Sequence, residues 1–520
     1  MRDPAFYPGA PNSVEVRETH ISWVFLVGRR AFKLKKPVVF PFLDYGSVER
    51  RRLMCEREVE LNRRFAPEVY LGVRSIVRRQ GRLQLAPSGA GAIEHVVEMR
   101  RFDDADTLAA RASSAQATSE QVEAVARRLA HLHAEAPSCT PPGGDAITAI
   151  KRHAGDNFEA LLDSGVPSHA RVHAAQRFTD AFLEGHAAAI VARAAMGLVR
   201  SGHGDLRAEH VLLGEQTQFV DCAEFNADLR NIDVGADLAF LVMDLHRLGR
   251  ADLAQSLVDA YRQAGGDPGD DALIAFHAAV KAWVRAKVAL LGAQEHVASS
   301  DGSATPEGQA LELFALGERL AWRARRPLAL VICGAPATGK SALAQSLSEL
   351  SGLAVISSDE TRKRLHGLES TQRAPEHAYT DLASERTYSE LGRRASKEID
   401  RAGSVIVDAT FGRTADRHTF ADAFADRMAP LVFECRASAD VVQDRARSRE
   451  RDAARTSDAD AQIAAHLRER FQPLDRDVAP ERHFVLRGDQ STEQVVRDVV
   501  ELLDHSLAQP VQASTPATAL

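Results

Sequence analysis

The sequence predicts two domains in tandem, an α+β unit followed by an α/β unit built on a parallel sheet. Three observations predict it. At 520 residues the chain is longer than one hydrophobic core supports. Strand-like apolar runs come first, and after residue 118 apolar positions spaced three and four apart take over, as in VEAVARRLAHLHAE. Further on, an apolar strand, a glycine-bearing loop and a helix follow one another, the βα theme of a parallel sheet.

Composition narrows the class. Apolar residues make up 45% and charged residues 26%, ordinary values for globular proteins, and the net charge of -7 argues against a chain that coats nucleic acid. Five scattered cysteines without a CxxC pair suggest neither a zinc site nor a disulfide framework. The opening MRDPAFYPGA lacks a signal-peptide core, and no apolar run is long enough to cross a bilayer. A cytoplasmic location, no membrane contact and no obligate protein partner are therefore expected.

The first domain is expected over residues 1–295. Its strands are HISWVFLVG, RAFKLKKPVVF, LQLAP and EHVVEM, and its first helix is VERRRLMCEREVELNRRFA. The polar, Ser- and Gly-rich residues 296–310 are read as a linker, 311–506 as the second domain and 507–520 as a disordered tail. The second domain opens with the helix LELFALGERLAWRARR and the buried strand PLALVICG.

That strand runs into GAPATGKS: Gly334, Ala335, Pro336, Ala337, Thr338, Gly339, Lys340 and Ser341. The spacing is G-x-x-x-x-G-K-[ST], and the helix SALAQSLSELS follows, the context a P-loop requires. Glycines let backbone N–H groups face phosphate oxygens, and the helix N-terminus adds positive potential. Lys340 is expected to reach the β- and γ-phosphates of ATP, and the Ser341 hydroxyl to ligate Mg²⁺. Asp359 follows the apolar strand in AVISSDETRKRL, and Asp408 ends the one in SVIVDATFGR. Ligands bind beyond the carboxyl ends of parallel strands, so one aspartate is expected to act as base for an acceptor hydroxyl and the other to hold the metal. A cap on the following helix is the structural alternative for each.

With these motifs the second domain resembles small P-loop kinases of the polynucleotide kinase, gluconate kinase, shikimate kinase and zeta-toxin type. The resemblance implies that Asp359 is the acceptor base, that Asp408 is the metal aspartate and that Arg362 contacts substrate or phosphate. It places Arg445 and Arg449, four apart in VVQDRARSRERD, in an arginine-bearing lid, with Arg451 near its end. A solvated helix face is the alternative.

In the first domain, SGHGDLRAEHVLLGEQTQFVDCAEFN carries HGD at His203–Asp205 and a strand-end Asp221, and NIDVGADLAFLVMDL follows with Asp237. This order resembles the HGDxxxxN…(I/V)D pattern of aminoglycoside phosphotransferases, which have the protein-kinase fold. The resemblance implies Asp205 as catalytic base, Arg207 in place of a phosphate-neutralising lysine, Asp221 as metal ligand and Asp237 as a structural aspartate. His210 occupies the metal-ligand position where the family keeps asparagine, and imidazole is a poorer ligand for hard Mg²⁺. Glu209 or a water is the substitute.

Upstream, THISWVFLVGRR stands where a glycine-rich loop is expected. Lys33 and Lys35 share one strand face, and either is a candidate for the α- and β-phosphates. Glu58 is the expected ion-pair partner, with Glu56 second. EHVVEMRRF is read as the hinge, with backbone groups of Val97–Met99 facing adenine. FDDAD at Phe102–Asp106 is either an acidic wall for a cationic acceptor or a helix-capping cluster.

Nearly the whole chain resembles a bacterial family described as bifunctional aminoglycoside phosphotransferase / ATP-binding proteins. The implied architecture is an α+β protein-kinase-like fold followed by an α/β P-loop NTPase fold with a parallel sheet. The implied activity is phosphate transfer from ATP, with Mg²⁺, to small-molecule hydroxyls at the first site. At the second, a sugar, a nucleoside or a polynucleotide end is the acceptor. Two alternatives stay open: a regulatory protein whose first half is a pseudokinase, and a P-loop domain acting as an ATPase switch.

Overall fold

The computed structural model describes residues 1–520 except 9–11, 20, 41–42, 90, 296–304, 370, 425–427, 451–467, 476 and 510–520. The chain forms two compact units: Met1–Thr179 with His186–Leu320, and Asp180–Gly185 with Ala321–Leu520. Most of the expected linker lies outside the described residues, and its last residues already belong to the helix Pro306–Ala324. That helix was expected to open the second domain, yet it belongs to the first unit as far as Leu320. Packing is the reason: the Phe314 ring lies 5.9 Å from that of Trp283, and a Cβ on Gly317 would meet the Trp283 indole at 2.3 Å. Most of the expected tail is also outside the described residues, and the helix Thr492–Ala508 runs past its expected start.

The first unit opens with a six-stranded antiparallel sheet in the order Glu15–Glu18, Ser22–Val27, Arg30–Lys35, Glu94–Arg100, Tyr70–Arg79, Arg82–Pro87. The helix Val48–Asn62, capped by the Ser47 hydroxyl accepting from Arg50 N, buries Cys55, Glu58, Val59 and Asn62. These positions make one inward stripe, so Cys55 and Val59 pack with Ala31, Val97 and Met99 on one face of the sheet. Phe6, Tyr7, Phe25 and Phe32 fill the other face.

A bundle of helices follows, including Ala146–Ser164, Val234–Arg247 and Asp271–Glu295. Val234–Arg247 is buried all round through Leu245, which makes its two buried carboxylates, Asp237 and Asp244, chemically conspicuous. Among the described residues, no helix is long and apolar enough to cross a membrane.

The second unit is an all-parallel five-stranded sheet in the order Val355–Ser357, Ser404–Asp408, Leu328–Cys333, Leu431–Arg436, His483–Arg487. Its strands are nearly continuous apolar runs because both faces are covered by core clusters. The chain crosses from one side of Leu328–Cys333 to the other between the third and fourth strands, so the switch point of the sheet lies at the end of that strand.

Candidate functional site

In the second unit, GAPATGKS occupies that switch point. Gly334 has φ +129°, and a Cβ there would meet the Cys435 carbonyl at 2.4 Å, so only glycine lets the loop pass. Gly339 at φ +102° begins the helix Lys340–Ser351, and Lys340 Nζ donates to Ala335 O at 2.8 Å. Asp408 is level with Ile332 on one neighbouring strand and with Ser357 on the other. Gly334 N donates to Thr410 O at 3.3 Å, joining the loop to the segment after Asp408. Asp359 is half-buried in the first turn of Ser358–Leu365, and the cap there is Ser357, whose hydroxyl accepts from Asp359 N at 3.2 Å. The capping alternative therefore does not account for Asp359.

Arg445, on the helix Ala439–Glu450, lies against the P-loop: its NH1 would be 3.4 Å from a Cβ on Gly339. That nitrogen is buried without a hydrogen-bond partner among the described residues, an orphaned donor beside a phosphate loop. The Arg449 side chain and Arg451 fall outside the described residues. Arg362 lies on the same helix as Asp359. Its NH1 donates to Ala378 O at 2.6 Å and its guanidinium stacks 4.6 Å from the Tyr379 ring, so it anchors the turn Glu376–Tyr379.

In the first unit, Lys33, Glu58, Asp205, Arg207, His210 and Asp221 come together. Lys33 Nζ lies 2.9 Å from Glu58 Oε1 and 2.7 Å from Asp221 Oδ1. Lys35, on the same strand face, sits behind it: its ammonium meets Glu58 Oε2 at 2.6 Å, Glu224 Oε1 at 2.7 Å and the Tyr45 hydroxyl at 3.1 Å. Lys33 lines a cavity of about 1140 Å³ and Lys35 does not. Glu56 instead accepts from Arg52, one turn away on its own helix.

Asp205 also lines the cavity, and the turn that presents it is pinned from behind. His203 N and Gly204 N donate to the two oxygens of Asp237 at 2.6 and 2.9 Å, and His133 Nε2 lies 3.1 Å from the same carboxylate. Ala208 N donates to Asp244 at 2.8 Å. Burial pushes the His203 imidazole down to about 4, so it stays neutral, and Nε2–H donates to Val220 O at 3.0 Å. Burial disfavours the charged forms of Asp205 and Asp221, but Arg207 beside the first and Lys33 beside the second outweigh it. Both carboxyls are held below the usual range, ionised at neutral pH. Asp221 stands at φ +63°, a backbone conformation that non-glycine residues hold only under restraint. Tyr70 OH accepts from its N–H at 3.0 Å, and Asn62 Oδ1 from Cys222 N at 2.8 Å.

His210 has one tautomer available. Arg207 NH2 approaches Nε2 at 2.8 Å and guanidinium only donates, so Nε2 carries the lone pair and Nδ1–H donates to Asp205 O at 2.8 Å. That lone pair is 3.9 Å from Asp221 Oδ2. Glu209 pairs with Arg207. The Asp221 carboxylate fits a phosphate-bound divalent cation, which needs one or two protein carboxylates, whereas the His210 lone pair is taken by Arg207 as long as that bond stands. Among the described residues, no group of three or more His, Cys, Asp or Glu is arranged to hold an ion by itself.

One expectation is corrected. Backbone groups of Val97–Met99 are not open to adenine, because Glu94–Arg100 is paired on both sides, with Lys33 and Val73 each opposite Val97. The cavity wall continues instead through Arg101 and Phe102. Of the two readings of FDDAD the structure shows the capping one: Asp103 caps Asp104–Asp106 by accepting from Ala105 N, Asp104, which borders the cavity, pairs with Arg17 at 2.6 Å, and Asp106 pairs with Arg111 at 3.1 Å. Sequence reasoning missed Tyr45, Asn62, Tyr70, Glu224 and Asp244, whose partners are remote along the chain and carry no motif.

A phosphate loop at the switch point of an all-parallel sheet defines the second unit as a P-loop domain. Residues 330–474 match the AAA domain family. Over 464 residues the chain is 35% identical to Uncharacterized protein Rv2004c of Mycobacterium tuberculosis and, equally, to Uncharacterized protein Mb2027c of Mycobacterium bovis, covering 87% of this chain and 89% of theirs. The chain belongs to the family of these mycobacterial proteins. Among solved structures, it is similar to a choline/ethanolamine kinase family protein from Mesorhizobium loti (14% identity, 60% of this chain and 89% of that one, TM-score 0.36). It is also similar to a sugar kinase from Janibacter sp. HTCC2649 (17% identity, 36% and 99%, TM-score 0.29).

Proposed function

We propose that the chain is an ATP-dependent phosphotransferase with two nucleotide sites. One observation carries the reading of the first unit: Lys33, bridged by Glu58 to the sheet-facing helix and by its ammonium to Asp221, faces the same cavity as the ionised Asp205. Val24, Leu26, Ala31 and Met99 form the apolar wall of that cavity where adenine would lie, and Lys33 would hold the α- and β-phosphates. Asp205 accepts the proton of the acceptor hydroxyl; the hydroxyl oxygen bonds to the γ-phosphorus, the bond to the β-bridging oxygen breaks, and ADP leaves. Arg207 stands beside Asp205 to stabilise charge on the transferring group. Asp221, and His210 once Arg207 leaves its lone pair for the transferring phosphate, would hold Mg²⁺, which would neutralise charge on the β- and γ-oxygens.

In the second unit, the P-loop and Arg445 would bind the phosphates, Ser341 and Asp408 the metal, and Asp359 would serve as base to a second hydroxyl acceptor, a sugar, nucleoside or polynucleotide end. Transfer from γ-labelled ATP to a panel of metabolites and nucleic acids tests both sites. Asp205→Ala and Lys340→Ala are each expected to remove a different labelled product, by about 10²-fold or more. If Asp205→Ala changes no product, the first unit is a ligand-binding regulator.

His210 favours that second reading, since Arg207 already occupies the nitrogen that faces Asp221. The two readings differ in their metal dependence. An imidazole nitrogen suits Mn²⁺ better than Mg²⁺, so an active first unit is expected to bind Mn²⁺ more tightly in the presence of a non-hydrolysable ATP analogue. His210→Asn should reverse the order, read by calorimetry and by transfer. Equal Mn²⁺ affinity in both proteins would remove His210 from the metal site.

A further inference from the structure

The acceptor side of the first-unit cavity is formed by two helices, Ala146–Ser164 and Asp271–Glu295. On the second, His277, Lys281, Val284, Arg285 and Val288 recur at helical spacing and face the cavity as one stripe. Lys281 and Arg285 are one turn apart and mostly removed from solvent. The Lys281 ammonium rests 5.0 Å from the Phe240 ring centre, and among the described residues neither side chain has an ion pair or a hydrogen bond.

The acids around the same cavity are already engaged. Asp228 pairs with Arg152 at 2.9 Å, Asp233 with Arg193 at 2.8 Å, Glu224 with Lys35 at 2.7 Å and Asp221 with Lys33 at 2.7 Å. Glu209 is held by Arg207. Asp156 is exposed on Ala146–Ser164, where its field reaches Lys287. None of these acids pairs with Lys281 or Arg285; Asp205, itself held by Arg207, reaches both only through its field. A buried cation without a counter-ion is costly, and burial indeed pushes the Lys281 ammonium and the Arg285 guanidinium below their ordinary values. A cost of this kind, beside a candidate catalytic base, is removed when a ligand brings the missing anion.

We propose that the acceptor of the first unit is a small hydroxyl-bearing anion, a carboxylate or a phosphate ester, whose negative group sits between Lys281 and Arg285. This rests on the phosphotransferase reading of that unit and narrows its substrate class away from cationic acceptors such as aminoglycosides. The apolar sheet side of the cavity is left to the nucleotide, and the basic stripe orients the acceptor so that its hydroxyl meets Asp205.

The test uses the full chain saturated with a non-hydrolysable ATP analogue and Mg²⁺, which fills the P-loop, and titrates inorganic sulfate by calorimetry. Wild type is expected to show a saturable sulfate site, weakened at least about tenfold, the loss of roughly 1.4 kcal/mol, in Lys281→Met and in Arg285→Met. Both variants should melt at or above the wild-type temperature, because each removes an unpaired buried charge. Kanamycin, the cationic probe, should not compete with sulfate. Sulfate affinity unchanged by both substitutions, no sulfate site in wild type, or kanamycin binding tighter than sulfate would each overturn the proposal. Asp205→Ala separates it from the activity: a variant that keeps the sulfate site while wild type and variant give the same labelled products rejects phosphate transfer by this unit and leaves the anion site standing.

Discussion

Lys35→Met is expected to cost the first unit about 3–5 kcal/mol of stability, whereas Lys33→Met leaves it folded and lowers its phosphate transfer by about 10²–10³-fold. The two lysines are two residues apart on one face of one strand, yet their surroundings differ. The Lys35 side chain is fully buried, and its ammonium is shared among Glu58, Glu224 and Tyr45, whose hydroxyl also donates to Glu224 at 3.0 Å. Removing that charge strands Glu224 as a buried carboxylate with only the phenol for a partner. Lys33 borders the cavity with 12% of its side chain exposed. Without it, Glu58 keeps Lys35 and Asp221 can be solvated from the cavity, so the fold survives while the phosphate contact is lost. Urea unfolding followed by tryptophan fluorescence, together with labelled transfer in a Lys340→Ala background, separates the effects. A folded but inactive Lys35→Met and an unstable Lys33→Met would exchange the two assignments.

Arg417→Met is expected to destabilise the second unit by about 3–5 kcal/mol. Arg417 is completely buried and its guanidinium is saturated. Nε donates to Asp477 at 2.7 Å, NH1 to Phe411 O at 2.8 Å and Gln472 O at 3.2 Å, and NH2 to Thr414 Oγ1 at 2.9 Å and Pro473 O at 3.1 Å. It thereby ties the segment that follows Asp408 to residues 472–477. Methionine fills much of the volume but leaves three backbone carbonyls unpaired and the buried Asp477 with only the Thr414 hydroxyl at 3.2 Å and the exposed His418 imidazole at 3.7 Å. Adding Asp477→Leu should recover part of the loss, because the orphaned charge goes with it. Thermal melts of the single and double variants check this. A loss under about 1 kcal/mol for Arg417→Met would show that water reaches the site.

Much of the second unit was legible because its chemistry is local. The phosphate loop, the strand before it and the helix after it lie within one short stretch, Asp408 ends an apolar strand and Asp359 opens the helix just after another. The first unit was harder. The strand Tyr70–Arg79 escaped because Arg74, Arg78 and Arg79 interrupt its apolar positions; Arg74 is tolerated there by a 2.7 Å pair with Glu98 on the neighbouring strand. The domain boundary does not fall at the polar stretch, because Pro306–Leu320 packs within the first unit through Phe314 against Trp283.

By itself the sequence determined the order of the two units, the P-loop and the residue types gathered around Asp205, since these depend on backbone periodicity and on motifs short enough to be contiguous. Only the tertiary structure decided which lysine reaches the cavity and which is walled in, that the His210 lone pair beside Asp221 is taken by Arg207, and that the acids around the cavity pair with other bases and not with Lys281 or Arg285. Those outcomes depend on partners separated by up to about 190 residues, such as Glu224 on Lys35, and no local pattern encodes which charge will find a counter-ion once water is excluded.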